Sequence, residues 1–350
     1  MESTEQAFHW LELIERPAFC VKDGVVAACN DAAQGRTICV GTDIHDLVTE
    51  HFDTYRDFTN GCLFLPVTIC GIPCNASVNR TEDYDIFILE QDSDNDKLQA
   101  LALAAQQLRG PLSDMMVISD RLRGEKASKE AAQLQKSLFQ LLRITGNMSD
   151  VCYYYGSPSD GMEMANITSI FRETIEKVQA LSDSTGIQLT YTEPKNVILG
   201  LANAEKLERA VYNILSNAIK FSPKGSTVDA KLSCSNTQVS FTVCNPCSDS
   251  VPDYQLWSRY RREPAIEDSR RGLGLGMTII STVATAHGGT VLVDYPDKQS
   301  IRVRMTIALI KENNGTVRSP VLRMSDYAGG WDKALLEFAE MLPSNKYKNI

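Results

Sequence analysis

The chain has 350 residues, more than a single core accommodates, so two or three domains are expected. Apolar residues make up 43% and charged residues 23%, which excludes a disordered or fibrous chain and points to ordered globular units. A net charge of −9 argues against a nucleic-acid partner, because phosphate contacts need an excess of Lys and Arg.

The opening "MESTEQAF" lacks the basic flank of a secretory signal, and no apolar run reaches spanning length. The expectation is a cytoplasmic protein with no membrane insertion. Residues 8–20 read as a short helix leading into "AFCVKDGVVAACN", two strands joined by a Lys-Asp-Gly turn. "CLFLPVTICGIPCNASV" and "YDIFILEQ" add β-rich runs, broken at Gly71-Ile72-Pro73. Six cysteines fall in this first quarter and read as reduced, partly buried small hydrophobes. Cys244 and Cys247 have CxxC spacing, but no second pair or histidine stands at metal-site distance.

At Leu98 the period changes. Leu98, Leu101, Ala105, Leu108, Leu112, Met115, Ser119 and Leu122 form a heptad seam. After "RGEKASK" a second seam runs through Ala131, Leu134, Leu138, Leu141, Thr145, Met148 and Cys152. Two such helices make a hairpin whose apolar stripes a second copy would bury, giving a dimeric four-helix bundle over 98–152. Packing of both stripes on the chain's own domains is the alternative. An α/β region follows to about residue 310, then a tail holding "WDKALLEFAEML" before Pro343.

In the helix "NAEKLERAVYNILSNAIKF", Leu207, Val211, Ile214, Leu215 and Ala218 share the apolar face. Asn213, Asn217 and Lys220 fall opposite it at i, i+4 and i+7. Amide oxygens suit Mg²⁺ and an ammonium neutralises phosphate, although a solvated helix face explains the same pattern. Fifty residues on, "RRGLGLGMTII" sets Gly272, Gly274 and Gly276 at the start of a helical pattern, where backbone N–H groups can close on phosphate oxygens.

Taken together, these segments resemble the catalytic ATP-binding domain of sensor histidine kinases. The likeness rests on an N-box (Asn213, Asn217, Lys220), an F-box-like segment ending at Arg262 and a G2 box (Gly272, Gly274, Leu275, Gly276). It implies ATP and Mg²⁺ as ligands, with Asn217 on the metal. The same family carries His-Glu-Leu-Arg-Thr-Pro-Leu on its dimerisation helix; residues 106–112 here read Gln-Gln-Leu-Arg-Gly-Pro-Leu, so Pro111 marks the family's helix bend. The first residues resemble, more loosely, a PAS sensor. The implied architecture is α+β and multidomain: a PAS-like α/β sensor over 1–92, a dimerisation hairpin over 93–158, an α/β-sandwich ATPase-like domain over 159–310 and a tail over 311–350.

The departures from the family pattern carry the functional reading. The phosphoacceptor position is Gln106, whose amide nitrogen has a delocalised lone pair and cannot attack phosphorus as an imidazole does. None of the four histidines (His9, His45, His51, His287) lies on the hairpin helices. The helper acid is Gln107, and the residue that would orient water for dephosphorylation is Gly110. In the box that reads adenine, Asn245 stands for the family's Asp, with Cys247 and Asp249 for glycines, so ATP binding is expected to be weakened.

The expectation is therefore a pseudokinase of a two-component-type pathway with no intact catalytic residue. It signals by conformation and binds a response regulator or partner kinase. One alternative is an active kinase that phosphorylates an acceptor in trans or on Ser or Thr, Ser113 and Ser119 being nearest. The other is a nucleotide-free scaffold.

Overall fold

A computed structural model of the chain describes residues 9–14, 16–89, 108, 112, 115, 129–156, 160–247, 275–297, 299–310, 332–343 and 346. A 3₁₀ turn at His9–Leu13 leads into the hairpin of β1 (Ala18–Lys22) and β2 (Val25–Cys29). Asp23 and Gly24 both take positive φ at its tip, the backbone that a two-residue turn needs to match strand twist. Three short helices follow, α1 (Asp31–Gln34), α2 (Ile44–Leu47) and α3 (Phe52–Asp57), then β3 (Cys62–Ile69), β4 (Ile72–Arg80) and β5 (Asp85–Leu89). The break expected at Gly71-Ile72-Pro73 lies one residue earlier. Cys70 and Gly71 make the positive-φ turn, and Pro73 is already paired with Thr68 inside β4.

Strands alternate inward and outward, so Phe19, Leu63, Leu65, Val78 and Phe87 meet in one core, where the Phe19 and Phe87 rings stack at 4.8 Å. Below it, Arg80 forks onto Asp85, and Asp85 also accepts the Tyr55 hydroxyl at 2.6 Å.

Of the first predicted seam, Leu108, Leu112 and Met115 are helical, with Leu112 buried and the other two exposed; the remainder lies outside the described residues. The second seam lies on α4 (Lys129–Gly156). Within the single chain the stripe is only partly covered: Leu138 and Thr145 are buried, Leu134 and Leu141 are 48% and 46% exposed, and Ala132, Gln135, Phe139, Leu142 and Arg143 beside it are buried. The helix turns a neighbouring face toward the chain's own ATPase-like unit, leaving Leu134 and Leu141 of the heptad stripe uncovered.

That unit comprises β6 (Glu163–Asn166), α5 (Ile167–Ser182), β7 (Gln188–Thr192), β8 (Leu199–Ala202), α6 (Ala204–Phe221), β9 (Thr227–Cys234), β10 (Gln238–Pro246), α7 (Leu275–Ala286), β11 (Val291–Asp297) and β12 (Ser300–Ala308). Asn166 and Asn203 begin α5 and α6, each side-chain oxygen accepting a backbone N–H from the first turn. Inward-facing Val239, Phe241 and Val243 of β10 pack under the helices, with Phe241 against Phe171 of α5. β6 and β8 form a separate two-stranded ladder.

The remaining ten strands make one sheet in the order β2-β1-β5-β4-β3-β11-β12-β10-β9-β7, antiparallel throughout except for β7 beside β9. The first five strands and the ATPase-like unit therefore share a ladder: Cys62, Leu63 and Phe64 pair with Val293, Leu292 and Val291. Gly61 permits this approach. Its φ is +90°, and a β-carbon there would lie 2.0 Å from the Val293 carbonyl oxygen. Gly61→Ala is expected to part the seam, seen as faster amide exchange at Leu63 and Leu292 while Phe241 stays protected. Unchanged exchange at Leu63 would contradict the pairing.

The tail also docks. Asp332 caps α8 (Lys333–Glu337), and Ala334, Leu336, Phe338, Ala339 and Leu342 are buried in the core shared with α4 and α6. Among the described residues no helix is long and apolar enough to cross a membrane.

Candidate functional site

The site is built on α6. Its apolar face behaves as expected, with Leu207, Val211, Ile214, Leu215 and Ala218 all buried against the sheet and α5. The opposite face is not a solvated surface. Asn213 is 1% exposed, the Lys220 side chain 9%, and Arg209, Tyr212 and Ser216 are also buried, so the middle turns of the helix are covered on both faces.

Asn213 donates Nδ2 to the Arg209 carbonyl at 2.9 Å, which turns Oδ1 outward toward the first turn of α7. There Gly276 meets it. A β-carbon on Gly276 would lie 3.0 Å from Asn213 Oδ1 and 3.5 Å from Asn217 Nδ2, so the backbone of α7 packs directly on the two amides. Leu275 opens the same helix. Thus Asn213, Asn217 and Gly276 come together. Oxygen-bearing amides beside a helix start form a donor set compatible with a hard cation and a phosphate.

Asn245 lies on β10 and continues the inward face of Val239, Phe241 and Val243; it is 3% exposed and donates Nδ2 to the Pro246 carbonyl at 3.0 Å. Cys247 follows β10, its N–H bonded to the Gln299 carbonyl at 2.7 Å. Arg262, Gly272, Gly274 and Asp249 lie outside the described residues, as do Gln106, Gln107, Gly110 and Pro111.

Lys220 is engaged differently from the expectation. Its ammonium bonds Glu340 of the tail at 2.7 Å. The other Glu340 oxygen takes Arg143 of α4 at 3.0 Å. Burial alone would push the Glu340 carboxyl up, but Arg143 and Lys220 outweigh it and hold the group below the ordinary carboxylate range. Beside it, Glu337, fully buried, pairs with both Arg143 and Arg209. Arg209 also reaches Asp150 Oδ2 at 2.5 Å and Asn147 Oδ1 at 2.7 Å on α4. Lys333 closes the row on Glu208 at 2.9 Å.

Sequence reasoning missed this cluster of Arg143, Arg209, Glu337 and Glu340. The available signal was Glu337 and Glu340, three residues apart among the apolar side chains of residues 334–342.

His287, in the turn after α7, holds α6 from the other end. Its Nδ1 lies 2.8 Å from the Val283 carbonyl, and its Nε2 accepts the backbone N–H of Asn203, the residue that caps α6, at 3.0 Å. The neutral ring with Nδ1 protonated satisfies both contacts. Burial, aided by nearby Lys206, lowers its pKa from 6.5 to about 4.

On this frame an asparagine-bearing helix, α6, lies against the glycine-containing first turn of α7. Residues 202–311 match the family described as histidine kinase-, DNA gyrase B- and HSP90-like ATPase. The curated relatives include the sensor histidine kinase CusS of Escherichia coli K12, 25% identical over 198 residues, covering 54% of this chain and 41% of that one. The adaptive-response sensory kinase SasA of Synechocystis is 24% identical over 273 residues, covering 70% of this chain and 69% of that one. Among solved structures, full-length ShkA in complex with AMPPNP aligns with a TM-score of 0.49 at 21% identity, covering 61% of this chain and 46% of that one. The chain spans about two fifths of the length of the first curated relatives it matches. The family match covers residues 202–311, and the curated relatives that the chain resembles carry the names of sensor kinases.

Proposed function

We propose that this chain is a degenerate sensor histidine kinase, a pseudokinase that transmits a signal by conformation and partner binding. The observation that carries the reading is Gln106, an amide at the position where the resembling family keeps its phosphoacceptor imidazole. Gln107 and Gly110 supply neither a helper acid nor a side chain to orient water.

ATP with Mg²⁺ is the proposed ligand. Asn213, Asn217 and Gly276 would hold its phosphate side, with Asn217 on the metal, and Asn245 would meet the base. Bound nucleotide would supply polyphosphate charge to organise this face; at the acceptor position Gln106 offers no nucleophile for the γ-phosphate. Gly272, Gly274, Leu275 and Arg262 complete the proposed set.

The strand order β2-β1-β5-β4-β3 supports reading 1–92 as a PAS-like sensor. Exposed Leu108, Met115, Leu134 and Leu141 support a homodimer through helices 98–152, with 93–158 as the dimerisation unit, 159–310 as the ATPase-like unit and 311–350 as the tail. The proposed partners are a response regulator or a partner kinase, in the cytoplasm.

Purified protein incubated with γ-labelled ATP and Mg²⁺ is expected to gain no acid-labile label. Label on an imidazole would overturn the pseudokinase reading, and acid-stable label would establish Ser or Thr transfer instead.

A further inference from the structure

Three cations face the site from two helices, Arg143 of α4 and Arg209 and Lys220 of α6, and each is paired with a carboxylate of the tail. The segment bringing those carboxylates is anchored independently by Leu336, Phe338, Ala339 and Leu342, all fully buried, and by Lys333 on Glu208. Lys220 lies one turn beyond Asn217 on the helix that Gly276 abuts. A polyphosphate on that face meets an ammonium already neutralised.

We infer that residues 332–343 form an in-chain stopper: the Glu340 carboxylate and a ligand polyphosphate compete for Lys220, so binding one releases the other. The inference rests on the nucleotide reading above and extends it to regulation of that site. Competition follows from charge. With the tail in place, Glu340 neutralises Lys220; with the tail withdrawn, that ammonium loses its carboxylate and attracts a polyanion. The apolar anchors set how far the balance favours the tail, and any partner that takes up Phe338 and Leu342 would open the site.

The test titrates the full chain and Glu340→Gln with Mg·ATP and, in parallel, with inorganic triphosphate. Affinity is followed by calorimetry, and the tail by amide exchange over 336–342. Glu340→Gln is expected to bind triphosphate about tenfold tighter, since one charge-assisted contact no longer competes. Saturating triphosphate should speed exchange at Phe338 and Leu342 in the unaltered chain. Leu342→Ala, which loosens the segment without touching a charge, should gain affinity likewise.

Equal affinity in all three proteins, including no measurable binding in any, overturns the stopper, as does bound triphosphate that leaves the tail protected. Triphosphate that competes while ATP does not bind supports the stopper and removes the nucleotide reading.

Discussion

Arg209→Met is expected to destabilise the chain by about 3–5 kcal/mol, the range for breaking a buried ion pair from one side. The guanidinium is buried and serves Asp150, Asn147 and Glu337 at once. Removing it leaves Glu337, fully buried, with Arg143 as its remaining cation, at a separation of 3.4 Å. The urea midpoint should fall, and exchange over 336–342 should quicken before global unfolding. Pairing Arg209→Met with Glu337→Leu should recover much of the loss, because an apolar pair of similar volume carries no desolvation cost. A double variant no more stable than the single one would show that Glu337 is not the group left stranded.

The second large effect is a pH dependence centred on His287. Unfolded, this imidazole takes up its proton near its ordinary 6.5, whereas in the fold the pKa is about 4. The unfolded state therefore binds more protons between these values, and stability falls as pH drops from about 6.5 toward 4. The loss approaches about 3 kcal/mol at the lower end. Above pH 6.5 the ring is neutral in both states and contributes no slope. The structural cause is specific: protonating Nε2 removes the acceptor for the Asn203 N–H, at the residue that caps α6. His287→Gln should flatten the stability profile across this window. An unaltered profile in that variant would assign the slope to other groups.

How much of this could be read from sequence depends on whether the signal is local. The turn at Asp23-Gly24 and the apolar face of α6 follow from neighbouring residues, and they lie where the pattern put them. Spacing puts the amides Asn213 and Asn217 on one face, whereas their association with Gly276 is what the family resemblance implies. Other features depend on contacts between distant segments. Lys220 looked available because nothing within a turn of it shows that Glu340, 120 positions later, is its partner. The contacts of α4 within the chain were hidden for a related reason. A heptad pattern gives the apolar positions of a helix but not which of two adjacent faces a folded neighbour takes, and here Phe139 and Leu142 won over Leu134 and Leu141. Nor does any pattern in "NGCLFL" announce that its strand will pair with "VLV" more than two hundred residues on.

That last pairing has a mechanical consequence. Backbone ladders move by whole residues, since a slip of one turns every side chain to the wrong face. Strain arising around Phe19 and Phe87 and reaching β3 thus has two outcomes at Gly61: the joint stays in register and hands the displacement to β11 and its neighbour β12, or it comes apart. Such a junction behaves as a latch and not as a spring, reporting a threshold in place of a gradient.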